Sequence, residues 1–406
     1  MNNSFFHFEE NTLSDKLLVV FSGVNARSFM GYKLASDFQC NKIFLKEENR
    51  SWYHSRIEGF SSDIDDFIEK IKQFTDKFEP SNICFIGSSM GGYAALLVGT
   101  TLGVGKIIAF GPQIIINKSL PNNPSDDSDI KFRDLTPLIN NSRCDIDIFI
   151  GVNELADLYQ VKDIKECANV SVSRVFGQPH NVMSFLNKIN VLKPYVKSKV
   201  FGGDFELAIH SVINNSFTKN RYLESAVELY YDKKDYQAAM GCFESLLSTY
   251  PSINTFWKFY GICLYHQNDF LSAIEALNKS TSICFSDDEA HYFLALIYFR
   301  QKDYQSASGE FTYAIDFSIE KKMTYYIKLA ICLRELGEYT RALYILDASL
   351  AISRKNYGTY YQMALIYKMT NNIPAALMNM EKAGKLSSRK KVEVELNELR
   401  LMEKAL

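Results

Sequence analysis

Between Gly87 and Gly91 the chain reads Gly-Ser-Ser-Met-Gly. This is G-x-S-x-G, the spacing that holds a nucleophilic serine on a sharp turn. Glycine suits positions 87 and 91 because side chains there would collide with the neighbouring elements. The pattern follows an apolar run, Ile83–Ile86, and opens a helix-compatible run of Ala and Leu. In that context Ser89 is the expected nucleophile, and the backbone N–H of Met90 is the expected oxyanion donor. A serine that only caps the helix is the alternative. A phosphate cradle does not fit: no Lys follows Gly91 or Gly92, and "GVGK" (Gly103–Lys106) leads into a strand.

A serine hydroxyl is a weak nucleophile until a base takes its proton. Of six histidines, His7 precedes the core strands, and His210, His266 and His291 fall later in the chain. His54 precedes the serine. His180, in "FGQPHNV", follows the last expected strand in a loop marked by Gln178 and Pro179, so it is the expected base. In parallel sheets with this turn the order is serine, acid, histidine. "GVNELADLY" offers two acids, Glu154 and Asp157. Asp157 is favoured for its reach, and the other would sit at the helix N-terminus. Asp145 and Asp147 begin a strand, at the wrong end of the sheet. The second oxyanion donor is expected after the first core strand, "VVFSGVN", at the N–H of Val24 or, second, Asn25.

These residues need a sheet to hold them. Lys16–Gly23, Lys42–Glu47, Asn82–Gly87, Lys106–Gly111, Asp145–Gly151 and Val170–Gly177 read as strands. Ile64–Phe78, Gly91–Leu102, Leu155–Ala168 and Val182–Ile189 read as helices. Alternating strands and helices predict a parallel sheet covered on both faces, with ligands at the C-terminal strand ends. "ENRSWYHSR" (Glu48–Arg56) follows the second of these strands. Arg50, Trp52, Tyr53 and Arg56 there are candidates to hold a sugar face or an anionic group; an ordinary loop anchored by its Trp is the equal alternative. Pro112–Phe132 is the one long irregular insert.

The second half has a different period. Asp235-Tyr236, Asp269-Phe270, Asp303-Tyr304, Glu338-Tyr339 and Asn372-Ile373 recur at spacings of 34, 34, 35 and 34 residues. Three residues after each pair comes Ala239, Ala273, Ala307, Ala342 or Ala376. Nine residues before the second member sits Gly261, Ala295, Ala330 or Ala364, with Val227 in the first unit. Small residues at these positions let paired helices approach closely. The pattern resembles the tetratricopeptide repeat. It predicts about five repeats over 221–406, stacked as a solenoid and capped by a helix near Ser388–Lys404. Leu192–Asn220 reads as the join, with a linker over 196–220 and a short helix at Glu206–Asn214.

The formal net charge is −2 over 406 residues, and no Lys/Arg run makes a strong basic patch, so no nucleic-acid partner is expected. Eight scattered cysteines without a C-x-x-C pair argue against zinc and disulfides and fit a reducing compartment. "MNNSFFHFEENTLSDK" lacks the charged and apolar regions of a signal peptide, and no run is long enough to span a bilayer. A cytoplasmic protein without cofactor or metal is the expectation.

With "FSG", "GSSMGG", "GVNELAD" and "GQPHN" in order, residues 1–195 resemble the α/β-hydrolase superfamily. The whole then reads as an α/β-hydrolase-like parallel-sheet domain followed by an all-α tetratricopeptide-repeat solenoid. The resemblance implies a Ser-His-Asp hydrolase with acyl-enzyme chemistry, though the domain leaves room for only a small lid. "FSG", "SWY", "GSSMGGY" and the repeat tail together also resemble hydrolase-like proteins of bacterial surface-polysaccharide pathways. That implies a serine esterase or deacylase acting on a small acylated substrate, with an acylated saccharide the candidate. The repeats would recruit a protein partner or self-associate. An acyltransferase with the same triad and a non-catalytic scaffold are the alternatives.

Overall fold

The computed structural model describes residues 4–24, 26, 28–124, 129–203, 205, 221–318 and 321–404. Its first part is a sheet built from β1 (Phe6–Glu9), β2 (Leu17–Phe21), β3 (Asn41–Leu45), β4 (Ile83–Ser88), β5 (Lys106–Phe110), β6 (Asp145–Gly151) and β7 (Val170–Val175). The spatial order is β1-β3-β2-β4-β5-β6-β7. Six strands run parallel, and β1 pairs antiparallel with β3 at the edge, so the sheet is mixed. The strands β2 and β3 are buried along their whole length. This explains why β2, and β3 beyond Lys42, read as apolar runs without alternation.

Six helices accompany the sheet: α1 (Ile64–Thr75), α2 (Met90–Leu102), α3 (Thr136–Asn140), α4 (Leu155–Gln160), α5 (Val182–Lys188) and α6 (Leu192–Phe201). On one face Phe21 meets Phe67 of α1 and Phe85 of β4, with ring centroids 6.3 and 5.3 Å apart. On the other, Leu18, Val20, Phe44, Ile86, Ile108 and Phe149 form a core with side chains of α5 and α6.

Two sequence expectations need correction here. The helix expected over Leu155–Ala168 ends at Gln160. Residues 192–201, expected at the start of the join, form α6. Its Leu192, Tyr195, Val196 and Val200 are buried in the sheet core. That spacing is one helix face. Its lysines give the segment the look of a linker, and Pro194 is harmless because it lies in the first turn. The helix expected at Glu206–Asn214 lies outside the described residues.

The repeats begin with α7 (Arg221–Val227), which continues through a π-helical stretch at Glu228–Lys233 into α8 (Tyr236–Thr249) and α9 (Asn254–His266). The chain divides into two compact units inside α9, Met1–Phe256 and Trp257–Leu406, and not at 196–220. The physical reason is that the first repeat and the start of α9 pack on the segment that follows β6. Glu224 pairs with Lys162 at 2.8 Å, and the Tyr231 hydroxyl donates to Glu154 at 3.2 Å. The Asn254 amide donates to Asn153 Oδ1 at 3.0 Å, and the Thr255 hydroxyl donates to the Val152 carbonyl.

The second unit holds most of α9 with α10 (Phe270–Ile283), α11 (Asp288–Arg300), α12 (Tyr304–Phe317), α13 (Met323–Glu335), α14 (Tyr339–Ile352), α15 (Tyr357–Met369), α16 (Ile373–Leu386) and α17 (Lys390–Lys404). The recurring acid or amide is the helix N-cap in every repeat. Asp235, Asp269, Asp303 and Asn372 each accept from the backbone N–H three residues on, whereas Glu338 makes no side-chain cap bond. The recurring alanines are fully buried. A Cβ on Gly261 would come within 2.8 Å of Leu277 Cγ, so the α9–α10 hairpin closes only over a residue of this size. Val392 and Leu399 of α17 bury against the last repeat.

Candidate active site

Ser89 lies at the junction of β4 and α2, at φ 54° and ψ −124°. Few L-residues occupy this region, and holding one there costs about 1–3 kcal/mol. The Ser89 N–H donates to the Phe110 carbonyl at 2.8 Å, and its carbonyl accepts from the Tyr93 N–H at 3.0 Å. Its neighbours must be glycines. A Cβ on Gly87 would sit 2.0 Å from the Gly91 carbonyl oxygen, and one on Gly91 would sit 2.1 Å from that of Phe21. Ser89 precedes a helix, yet its side chain makes no capping bond. Instead Oγ is 3.0 Å from His180 Nε2.

His180 arrives on the loop between β7 and α5. The approach is close enough that a Cβ on Gly111 would fall 2.8 Å from the His180 carbonyl oxygen. On its far side, Nδ1 is 2.7 Å from Asp157 Oδ1. Asp157 is 3% exposed, in the first turn of α4. Its Oδ2 is buried and has no hydrogen-bond partner among the described residues, so Oδ1 and the imidazole form this carboxylate's one described bond. The tautomer that satisfies all three groups carries its proton on Nδ1 and accepts the serine proton at Nε2. Glu154 caps α4, accepting from the Ala156 N–H, and also accepts from Tyr231. Asp147 is engaged at the other end of the sheet by Ser171, Tyr195 and Lys199.

Met90 is the first residue of α2, so its N–H is among those without an intrahelical acceptor. Val24 is half-buried in the loop after β2. That loop abuts the serine turn: a Cβ on the adjacent Gly23 would lie 3.7 Å from Ser89 Cβ. Asn25 lies outside the described residues.

The loop from Arg50 to Arg56 divides by role. Arg50 and Arg56 are exposed. Trp52 and Tyr53 are buried, at 2% and 0% exposure, so their side chains are packed into the protein. The Tyr53 hydroxyl donates to the Ser22 carbonyl at 2.9 Å. Arg50, Trp52 and Tyr53 all have positive φ, between 51° and 65°. Glu47 holds this unusual backbone, accepting from the Ser51 N–H at 2.8 Å and the Ser51 hydroxyl at 2.6 Å. Burial raises the Glu47 carboxyl above its usual range, opposed by those bonds. His54 Nδ1 bonds the Trp52 carbonyl at 2.9 Å, and burial lowers its pKa, favouring the neutral ring.

One residue of the site was missed by sequence reasoning. Gln113, 2% exposed, follows β5 at the start of the irregular insert. Its Nε2 lies 3.1 Å from Ser89 Oγ, 3.4 Å from the Gly111 carbonyl and 3.4 Å from His180 Nε2. Its Oε1 accepts from the Trp52 indole N–H at 3.2 Å. The available signal was its place at the C-terminal end of a parallel strand, where ligands bind in such sheets. Among the described residues no group of three or more His, Cys, Asp and Glu could hold a metal ion, and no helix is long and apolar enough to cross a membrane.

Residues 232–312 match the family described as anaphase-promoting complex, cyclosome, subunit 3. Over 126 residues the chain is 26% identical to the BBSome complex member BBS4 homolog of Drosophila melanogaster; the match covers 31% of this chain and 26% of that protein. The chain thus spans about a quarter of the length of this relative. The crystal structure of MamA is 20% identical and covers 42% of this chain and 92% of its own, with a TM-score of 0.38. YrrB, described as a TPR protein with an unusual peptide-binding site, is 16% identical and covers 44% and 90%, with a TM-score of 0.40. The family match falls on the capped helix hairpins, and the C-terminal half is an all-α array of tetratricopeptide-like repeats. Ser89, Asp157 and His180 lie outside the matched window.

Proposed function

We propose that the chain is a serine hydrolase of α/β-hydrolase type, an esterase or deacylase. Its substrate would be a small acylated molecule, with an acylated saccharide the candidate, in the cytoplasm. The observation that carries this reading is the unbroken line from Ser89 Oγ through His180 to Asp157, at 3.0 and 2.7 Å. It is joined by a strained serine whose side chain makes no capping bond.

In this reading Ser89 Oγ attacks the acyl carbon while its proton passes to His180 Nε2. Asp157 Oδ1 accepts from Nδ1–H, orients the ring and stabilises the imidazolium. The carbonyl oxygen becomes an oxyanion facing the N–H groups of Met90 and Val24. The tetrahedral adduct collapses, the C–O bond to the alcohol breaks, and His180 returns its proton to the leaving oxygen. Water repeats the sequence on the acyl-enzyme, releasing the acid and Ser89. Arg50 and Arg56 are the candidates for the substrate's polar end. The repeats would recruit a protein partner or join copies of the chain.

A fluorophosphonate probe tests the reading. The expected result is labelling of the full chain at Ser89, absent in Ser89→Ala and in His180→Ala. An unlabelled wild-type protein would mean a hydrolase-like scaffold without turnover.

A further inference from the structure

The contacts of Gln113 go beyond what a triad requires. Its amide orientation is set from both ends. The Trp52 indole can only donate, so the atom facing it is the carbonyl oxygen. The Gly111 carbonyl can only accept, so the atom facing it is the nitrogen. The amide NH2 group is therefore held toward Ser89 and His180. The loop that presents Trp52 has three residues at positive φ, Arg50, Trp52 and Tyr53. Non-glycine residues at positive φ persist where the surrounding contacts over-determine them. Here these are Glu47 with Ser51, Tyr53 with Ser22, and His54 with the Trp52 carbonyl. Through Trp52, this framework fixes the direction of one amide.

The position of that amide is specific. The oxyanion donors expected for the site are backbone groups at Met90 and Val24. Gln113 Nε2 lies instead within 3.4 Å of His180 Nε2, the atom that exchanges a proton with the leaving or entering oxygen. In the resting site the amide donates to Ser89 Oγ. Once Oγ carries an acyl group its lone pair is delocalised into the ester and it becomes a poor acceptor. The N–H is then available to another oxygen placed between it and His180.

Resting on the hydrolase reading, we propose that Gln113 is a catalytic residue. It binds the oxygen that enters or leaves beside His180: the alcohol oxygen during acylation and the attacking water during deacylation. The Gln113 N–H donates to a lone pair of the water while His180 Nε2 takes a water proton and the remaining lone pair attacks the ester carbon. Trp52 is a positioning residue that acts through Gln113.

The test uses the full chain with p-nitrophenyl acetate, whose good leaving group needs little help in acylation. Gln113→Leu should keep fluorophosphonate labelling and the p-nitrophenol burst near the wild-type rate. Steady-state turnover should fall by about 10–100-fold, as expected for the loss of one hydrogen bond that places the attacking water. Acetyl-enzyme should then accumulate and be visible by intact mass. Trp52→Phe, which keeps the ring but loses the N–H, should shift the same split in the same direction by less. Unchanged turnover in Gln113→Leu with normal labelling overturns this proposal alone. So does an equal loss of labelling, burst and turnover, because Gln113 would then serve Ser89 itself. A wild-type protein that is neither labelled nor active overturns the hydrolase reading and this proposal with it.

Discussion

Positive backbone φ serves opposite ends at the repeat turns and at the serine turn of this protein. In the repeats it recurs at Lys234, Asn268, Lys302, Gly337 and Asn371, each directly before a helix N-cap. Lys234, at φ 55° and ψ 26°, shows the conformation: an ordinary left-handed turn that ends one helix before the next is capped. At Ser89 φ is similar but ψ is −124°, outside that well. The repeat turns are local solutions that any hairpin can reuse. The serine turn is a single strained position held by a sheet, a helix and close-packed glycines. Regular architecture tolerates many copies of the first, whereas the second appears where a side chain must project toward a partner such as His180.

The largest test of this contrast removes the partner chemistry. Ser89→Ala and His180→Ala should each abolish hydrolysis of a simple acetyl ester, by about 10⁴-fold or more, because the two act as a unit. Near-wild-type turnover in His180→Ala would dissolve the contrast. Next is the acid. Asp157→Asn should lower kcat by about 10²–10⁴-fold. Glu154→Gln should do far less, since Glu154 caps α4 and bonds Tyr231. Steady-state kinetics on the same ester decides the order.

A third comparison reads strain as stability. Ser89→Gly relieves the backbone and should raise the unfolding free energy by about 1 kcal/mol, net of the flexibility glycine adds to the unfolded chain. Asn371→Gly should change it by no more than a few tenths, because asparagine enters the left-handed well readily. Equal thermal shifts in the two variants would remove the distinction.

The smallest expected effect lies within the repeats. Asp303→Ala should cost about 1 kcal/mol through loss of its bond from the Ser306 N–H. Glu338→Ala should cost little, since Glu338 makes no side-chain cap bond. Bonds from Ser306 hold the Asp303 carboxyl below its usual range. Its contribution is therefore present above the unfolded-state pKa and is lost as pH falls through the lower native one. The difference between Asp303→Ala and wild type should shrink across that acid window in thermal melts.

Much of this was legible in the residues because the signals are local. The strands β2, β4 and β5 are largely buried apolar runs, and a run's burial is written in its composition. The caps and small residues of the repeats recur at a fixed period because each hairpin solves the same packing problem. Gly87 and Gly91 announced the serine turn because only glycine fits against the backbones of Gly91 and Phe21. The length of α4 was less legible, since the chain past Gln160 keeps a helical pattern but turns away.

By itself the sequence determined the six parallel strands but not the edge strand β1, together with the repeat period and the short set of residues from which a nucleophile, base and acid could be drawn. Tertiary structure alone decided which of them meet. It placed Asp157 on His180 and left Glu154 to cap α4. It turned Trp52 and Tyr53 inward, brought Gln113 to Ser89 across 24 residues of chain, and joined the start of α9 to the loop after β6 through Asn254 and Thr255. These are contacts between elements distant in sequence. Their partners are chosen by the packing of the sheet and its loops, and no local pattern of residue types encodes that choice.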